Sequence, residues 1–267
     1  MKTLVLYVFH QYNDRVRHFI EHAIFEDENT DFMIIANDKT IQFEVPSYVK
    51  KLQRDNIGYD FGGWSDALLS NNLYQEYDRF IFVNSSVIGP FIKSGKWTDV
   101  YLNELTDDIR LFGSTINACS TNPDRRALPH VQSYIFAMKR ETLDYLIKQN
   151  LFSITNYSKT FDDAVWEKEV RMSRLVIENG WNMGSLLKLY KGVDWRVNPS
   201  CRLLDDIMYQ PYLHVFWSKY ELVFIKGNRV KFLTVTNPTI RRWSSFSKHR
   251  RDWRVIRRLI NFLFFFF

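Results

Sequence analysis

Cysteine is nearly absent from this chain: its 267 residues include two, Cys119 and Cys201, in no CxxC pair and in no histidine or cysteine cluster. That excludes a disulfide framework and a structural zinc site, and makes a reducing compartment, the cytoplasm, the default. A secretory leader is not legible either. The amino-terminal MKTLVLYVFHQYN carries a lysine and a short apolar run but no small-residue cleavage site, and it ends in His10-Gln11-Tyr12-Asn13, so it reads as a first buried strand. The apolar end from Leu259 to Phe267 is far shorter than the ~20 residues that cross a bilayer as a helix. No internal repeat and no low-complexity linker divides the chain.

Net positive charge is missing outside one segment. The net charge is +6, but the stretch from Arg241 to Arg258 holds eight Lys/Arg against Asp252 and is +7 by itself, leaving the remainder at −1. A nearly neutral body excludes a nucleic-acid-binding core, and nucleic acid is not expected as a partner. The chain therefore divides into a domain over 1–235 and a basic amphipathic tail over 236–267. Basic residues interleaved with Trp243, Phe246, Trp253, Val255 and Ile256 suit an anionic membrane surface, and they also suit a packed terminal helix.

What the sequence has in quantity is apolar and aromatic residues, 46% and 16%. The aromatics fit a stacking surface for rings or sugars and equally a dense core. Their patterning alternates strands with helices. Strands are predicted over Leu4 to Phe9, Asp31 to Ala36, Phe80 to Val83, Arg110 to Ser114 and Tyr134 to Met138, with a short element over Tyr48 to Leu52. Helices are predicted over Asp14 to Phe25, Trp64 to Asn72, from Val100, over Arg140 to Gln149 and over Asp163 to Asn179, the last stopped by Gly180. The expected class is α/β with a mixed, mostly parallel sheet flanked by helices. In such sheets ligands sit beyond the carboxyl ends of the strands. The polar exits His10 to Asn13, Asn37-Asp38, Asn84 to Ser86 and Ser114 to Asn117 are expected to converge on one rim.

Two stretches carry chemistry. RDNIGYDFGGW packs Gly58, Gly62 and Gly63 with Arg54, Asn56 and Asp60, a cation, an amide and a carboxylate in a tight space. It is neither GxGxxG nor a Walker loop; it suits a cradle for ribose and phosphates, and also a structured turn before a helix. FVNSSVIGPF ends a strand in Asn84-Ser85-Ser86, small polar groups that can bond a ribose or phosphate or merely terminate the strand.

NIGYDFGGW, FVNSSVIGPF, LFGSTINA, HVQSYIFAM, EVRMSRLVIENGW and HVFWSKYELVFIK together resemble the rhamnan synthesis protein F family of glycosyltransferases, in order and spacing, over about residues 1 to 230. The resemblance implies a GT-A-like, Rossmann-like fold that moves a sugar, typically rhamnose, from a nucleotide diphosphosugar such as UDP- or dTDP-sugar to a glycan or lipid-linked acceptor. It implies donor contacts from His10, Asn37, Asp38, Arg54, Asn56, Gly58, Asp60, Gly62, Asn84, Ser85 and Ser86, and acceptor-side contacts from His130, Gln132 and Ser133. It also implies a divalent cation, Mn²⁺ or Mg²⁺, on the diphosphate. The usual Asn-Asp-Ser reads Asn84-Ser85-Ser86 here, so the carboxylate is missing, and the metal either moves to other groups, with Asp60, Asp38 and His214 the candidates, or is replaced by Arg54 and backbone amides.

Inverting sugar transfer needs a carboxylate to take the acceptor's proton. FDDAVWEKEVRMSRLVIENGW offers Asp162, Asp163, Glu167 and Glu169, and Glu169 best matches the family's glutamate; a solvated acidic helix start explains the same residues. The lost carboxylate also keeps open a non-catalytic nucleotide- or sugar-binding domain of the same fold.

Overall fold

The computed structural model describes residues 1–118, 129–197 and 217–229. The first half contains β1 (Thr3–Phe9), α1 (Asp14–His22), β2 (Thr30–Ala36), β3 (Lys50–Gln53), α2 (Tyr59–Leu69), β4 (Arg79–Asn84), β5 (Val87–Ile88) and α3 (Trp97–Leu102). There follow β6 (Ile109–Gly113), β7 (Ile116–Asn117), β8 (His130–Val131), β9 (Ile135–Lys139) and α4 (Arg140–Lys148). The last part comprises α5 (Phe161–Asp163), a π-helical stretch (Ala164–Val170), α6 (Arg171–Glu178), β10 (Asn182–Ser185), α7 (Lys219–Leu222) and β11 (Ile225–Lys226).

All seven residues of β1, TLVLYVF, are buried. A strand covered on both faces belongs inside a parallel sheet, and β1 lies parallel to β2 on one side and to β4 on the other. The sheet has seven strands in the order β10-β6-β9-β4-β1-β2-β3. Only β9 among them runs against its neighbours β4 and β6. The expected mixed, mostly parallel α/β class is what forms.

Side chains alternate across a strand, so β1 feeds two cores. Leu4, Leu6 and Val8 pack with Trp64 of α2 and with Leu143 and Met172 of α4 and α6. Val5, Tyr7 and Phe9 pack with Phe19 of α1 and Trp97 of α3. The aromatic surplus goes largely here: Trp64, Phe82 and Phe136 are fully buried and mutually in contact, with Phe82 and Phe136 stacked at 4.7 Å.

Two predicted helices differ in form. Helix α2 starts at Tyr59, not Trp64, because Gly58 at φ 75° caps it in the left-handed region and turns the chain into the helix before the glycine pair. The predicted continuous helix from Asp163 is π-helical between Ala164 and Val170, so its side chains do not follow α spacing. Among the described residues no helix is long and apolar enough to cross a membrane. Cys119, Cys201, His214 and the tail lie outside the described residues.

Candidate functional site

The chain goes from β1 outward through β2 to β3, then returns to place β4 on the other side of β1. At such a reversal the carboxyl ends of adjacent strands diverge and open a crevice. His10 after β1, Asn37 after β2 and Asn84 at the end of β4 line a cleft of about 420 Å³ there. Its other walls are Tyr59 and Asp60 at the start of α2, Ser133 before β9, Glu169 of the π-helical stretch, and Lys226, Asn228 and Arg229 at and beyond β11.

The end of β4 is a closed hydrogen-bond unit. The Asn84 Oδ1 accepts from the Ser86 backbone N–H at 3.0 Å and from the Ser86 hydroxyl at 2.5 Å, while its Nδ2 donates to Asp60 Oδ2 at 2.9 Å. Asn84 thus ties the strand end to the first turn of α2. Burial pushes the Asp60 carboxyl up to about 6; the Asn84 bond works against this and the nearby charge of Glu169 adds to it.

Glu169 is held from the opposite wall. Its Oε2 accepts from the Ser133 backbone N–H at 2.8 Å and from the Ser133 hydroxyl, and its Oε1 lies 3.4 Å from His130 Nε2. Burial alone would raise this carboxyl, but the His130 contacts, Lys226 and Ser133 overcome it and hold it down at about 2. The cleft therefore contains two carboxylates of widely separated proton affinity. Such separation marks sites where one carboxyl handles protons and another stays charged.

The π-helical stretch explains how Glu169 gets there. It brings Ala164, Val165 and Glu169 to the cleft wall, while the neighbouring Lys168 turns inward. The Lys168 ammonium donates to the carbonyls of Asn150, Leu151 and Asn156 at 3.3, 2.7 and 3.0 Å, and burial lowers it to about 8.

Of the expected donor contacts, His10, Asn37, Asn56, Asp60, Asn84, Ser85 and Ser86 line this cleft, and so does Ser133 from the acceptor group. Arg54, Gly58, Gly62 and Asp38 do not. Arg54 is buried and committed: Nε bonds Asp66 at 2.6 Å, Nη1 bonds Asn37 Oδ1 at 2.8 Å and Nη2 bonds the Ile57 carbonyl at 2.8 Å. It is a rivet under the loop, not a cation facing a ligand. Gly62 serves packing, since a Cβ there would stand 2.0 Å from the Ile57 carbonyl oxygen. Asp38 closes its own turn by accepting from Thr40 N and Oγ1, at 2.8 and 2.6 Å.

His130 and Gln132 stand behind the wall. His130 pairs with Glu169, and the Gln132 side-chain Oε1 accepts from the Thr115 hydroxyl at 2.6 Å. Ser114 also turns away from the rim, its hydroxyl bonding the Leu222 carbonyl at 2.9 Å. The alternative bases do not reach the cleft. Asp163 caps its helix by accepting from the backbone of Lys159 and Thr160, at 3.2 and 3.0 Å, and Glu167 is exposed.

Sequence reasoning missed Lys226, Asn228, Arg229 and Phe161. Lys226 ended HVFWSKYELVFIK, but nothing in that run says that β11 docks beside the end of β4. Phe161 stands at the cleft with 69% of its surface exposed, its ring edge-on to Tyr59 at 6.4 Å. A ring platform there suits a sugar face or a base.

Among the described residues no group of three or more His, Cys, Asp or Glu is placed to hold a metal ion. The donor chemistry at the end of β4 points the same way. Asn84 Oδ1 already accepts two hydrogen bonds, and Ser85 and Ser86 bring no charge to offset a hard divalent cation. These residues do not fit the cation that the resemblance implies.

The model of the rhamnan synthesis protein F family matches residues 33–209, more than half of the chain. The virulence protein VirA of Vibrio anguillarum is 33% identical over 132 residues, which is 48% of this chain and 38% of VirA. The protein y4gN of Sinorhizobium fredii is 23% identical over 238 residues, 83% of this chain and 59% of y4gN. The chain thus spans less than two thirds of either relative. A solved structure described as a glucose-1-phosphate thymidylyltransferase from Bacillus anthracis, in complex with a sucrose, overlays with a TM-score of 0.40 at 12% identity, covering 69% of this chain and 85% of that one.

Proposed function

The chain belongs to the rhamnan synthesis protein F family, and from that premise we propose that it is a glycosyltransferase of the GT-A kind, using the cleft beyond β1 and β4 for a nucleotide diphosphosugar. The observation that carries this reading is the pairing of Asp60 with Asn84 across from Glu169, in a cleft at the reversal point of a parallel sheet. The family membership supports a UDP- or dTDP-sugar donor, with rhamnose as the sugar, and a glycan or lipid-linked acceptor. The transferase domain runs over 1–235. The basic, apolar-ended tail, 236–267, attaches the protein from the cytoplasm to an anionic membrane surface.

For transfer with inversion, the acceptor oxygen bonds to the anomeric carbon as the bond from that carbon to the diphosphate oxygen breaks. The electron pair leaves with the nucleoside diphosphate, and the acceptor's proton passes to a carboxylate. Asp60 suits that task better than Glu169. A carboxyl held near 6 accepts a proton close to neutral pH, whereas one held near 2 is a poor acceptor. Both Glu169 oxygens are also already engaged by Ser133 and His130. Glu169 then serves as a fixed negative charge that keeps Asp60 basic. Phe161 and Tyr59 offer the sugar or base a ring to lie against.

A second reading, a non-catalytic nucleotide- or sugar-binding domain, is favoured by one observation, a neutral Ser85 at the cleft where the family's pattern has a carboxylate. Turnover decides between them. Release of UDP or dTDP from a matching sugar donor supports the transferase, and tight nucleotide binding with no turnover of any donor or acceptor supports the binding domain.

A further inference from the structure

We infer that Lys226 and Arg229 hold the donor's diphosphate in the place of a divalent cation, so that nucleotide binding in this cleft needs no metal. This rests on the donor reading above and adds the groups that neutralise the diphosphate.

The two cations are brought to the cleft by a specific backbone arrangement. Strand β11 pairs antiparallel with β5, setting Lys226 opposite Val87. One residue on, the Gly227 N–H donates to the Ser86 carbonyl at 2.5 Å. The turn carrying Lys226 to Arg229 is thereby fastened beside Asn84-Ser85-Ser86, where the resemblance would put a cation. Arg15 also secures this strand end, its Nε donating to the Ser85 carbonyl at 2.9 Å. The fit leaves no spare space: a Cβ on Gly227 would stand 2.5 Å from Ile88 Cγ1 and 2.7 Å from Arg15 Cδ.

The charges around the cleft fit this assignment. Asp60 and Glu169 are its acidic groups, and a diphosphate brought beside them alone would be repelled. Lys226 and Arg229 line the same cleft and supply the opposing charge, and Lys226 is close enough to Glu169 to help hold it ionised. Ammonium and guanidinium groups bind phosphate oxygens through charge-assisted hydrogen bonds, with no need for carboxylate ligands. The carboxylate that a metal site would use is the group this strand end lacks, its place being taken by Ser85.

The experiment is calorimetric titration of the full chain with UDP and with dTDP, in EDTA and in Mn²⁺, repeated on a Lys226→Gln, Arg229→Gln double variant. Expected is an affinity that differs by less than about threefold between EDTA and Mn²⁺, and a loss of about 10- to 100-fold per removed charge in the variant. Inorganic pyrophosphate in EDTA should displace the nucleotide from the wild type. Lys226 is half-buried and Arg229 exposed, so the variant should keep its melting profile, which is measured alongside. Binding that appears only with Mn²⁺, or variant affinity equal to that of the wild type, overturns the clamp and leaves the donor reading intact. Failure of both nucleotides to bind the wild type under either condition overturns the donor reading itself, and the clamp with it.

Discussion

Ser133 donates twice to a single oxygen of Glu169, through its backbone N–H at 2.8 Å and through its hydroxyl. This fixes where the Glu169 charge sits relative to Asp60, a charge that adds to the larger effect of burial in raising Asp60. Transfer activity of the wild type should rise with pH through an inflection near the Asp60 value of about 6 and then level off. Asp60→Asn should lose about two to four orders of magnitude in kcat and lose the inflection. Glu169→Gln should move the inflection modestly to lower pH, because burial still raises Asp60 but the added effect of the Glu169 charge is gone. A dead Glu169→Gln beside an active Asp60→Asn would assign the proton to Glu169.

Folding stability should carry the same pair with opposite signs. Asp60 is raised from an ordinary 3.8 to about 6, so the fold prefers its neutral form; that contribution is full below about 3.8 and is lost as pH rises through 6. Glu169 is lowered from 4.5 to about 2, so its contribution is full above 4.5 and is lost as pH falls toward 2. Urea midpoints measured across this range should show the fall between pH 4 and 6 disappear in Asp60→Asn, and the acid-side loss shrink in Glu169→Gln.

Arg54→Ala should act on folding and not on the ligand. It strips Asp66 of a buried ion-pair partner and leaves Asn37 Oδ1 and the Ile57 carbonyl unbonded. Breaking a buried pair costs about 3–5 kcal/mol, to be read from denaturant unfolding, and Arg54→Lys cannot restore the three-way contact. A variant of unchanged stability with weakened nucleotide affinity would return Arg54 to the ligand site.

Gly62→Ala should destabilise through backbone contact. The new Cβ meets the Ile57 carbonyl, which cannot rotate away as a side chain could. A cost at the upper end of the ~1–3 kcal/mol usual for overpacking is expected in denaturant titration.

Ser85→Asp places a carboxylate at the cleft beside the end of β4. Mn²⁺ affinity in the presence of UDP should rise relative to the wild type, since a charged hard oxygen replaces a neutral hydroxyl. Unchanged Mn²⁺ affinity would mean that position 85 does not face the diphosphate.

Much of this protein was legible in one dimension. The all-apolar run of β1, the strand and helix periods and the polar residues after β1, β2 and β4 depend on local pattern, and they gave the α/β class and most of one rim. The order of six motifs gave the family, because family likeness is itself a property of the linear chain.

Tertiary structure decided the rest. No local signal tells whether an arginine beside glycines faces a ligand or the protein, and Arg54 faces Asp66 because residues 12 positions away in sequence close beneath it. Spacing could not identify the π-helical stretch that separates Glu169 from Asp163 and Glu167, since the same residues suit either helix. The direction of β9, the joining of Ser133 to Glu169 across 36 residues and the docking of β11 on β5 are long-range pairings. Such contacts form only when the whole sheet and both cores assemble, and so the cleft's charge balance is written in the fold and not in any one stretch of the chain.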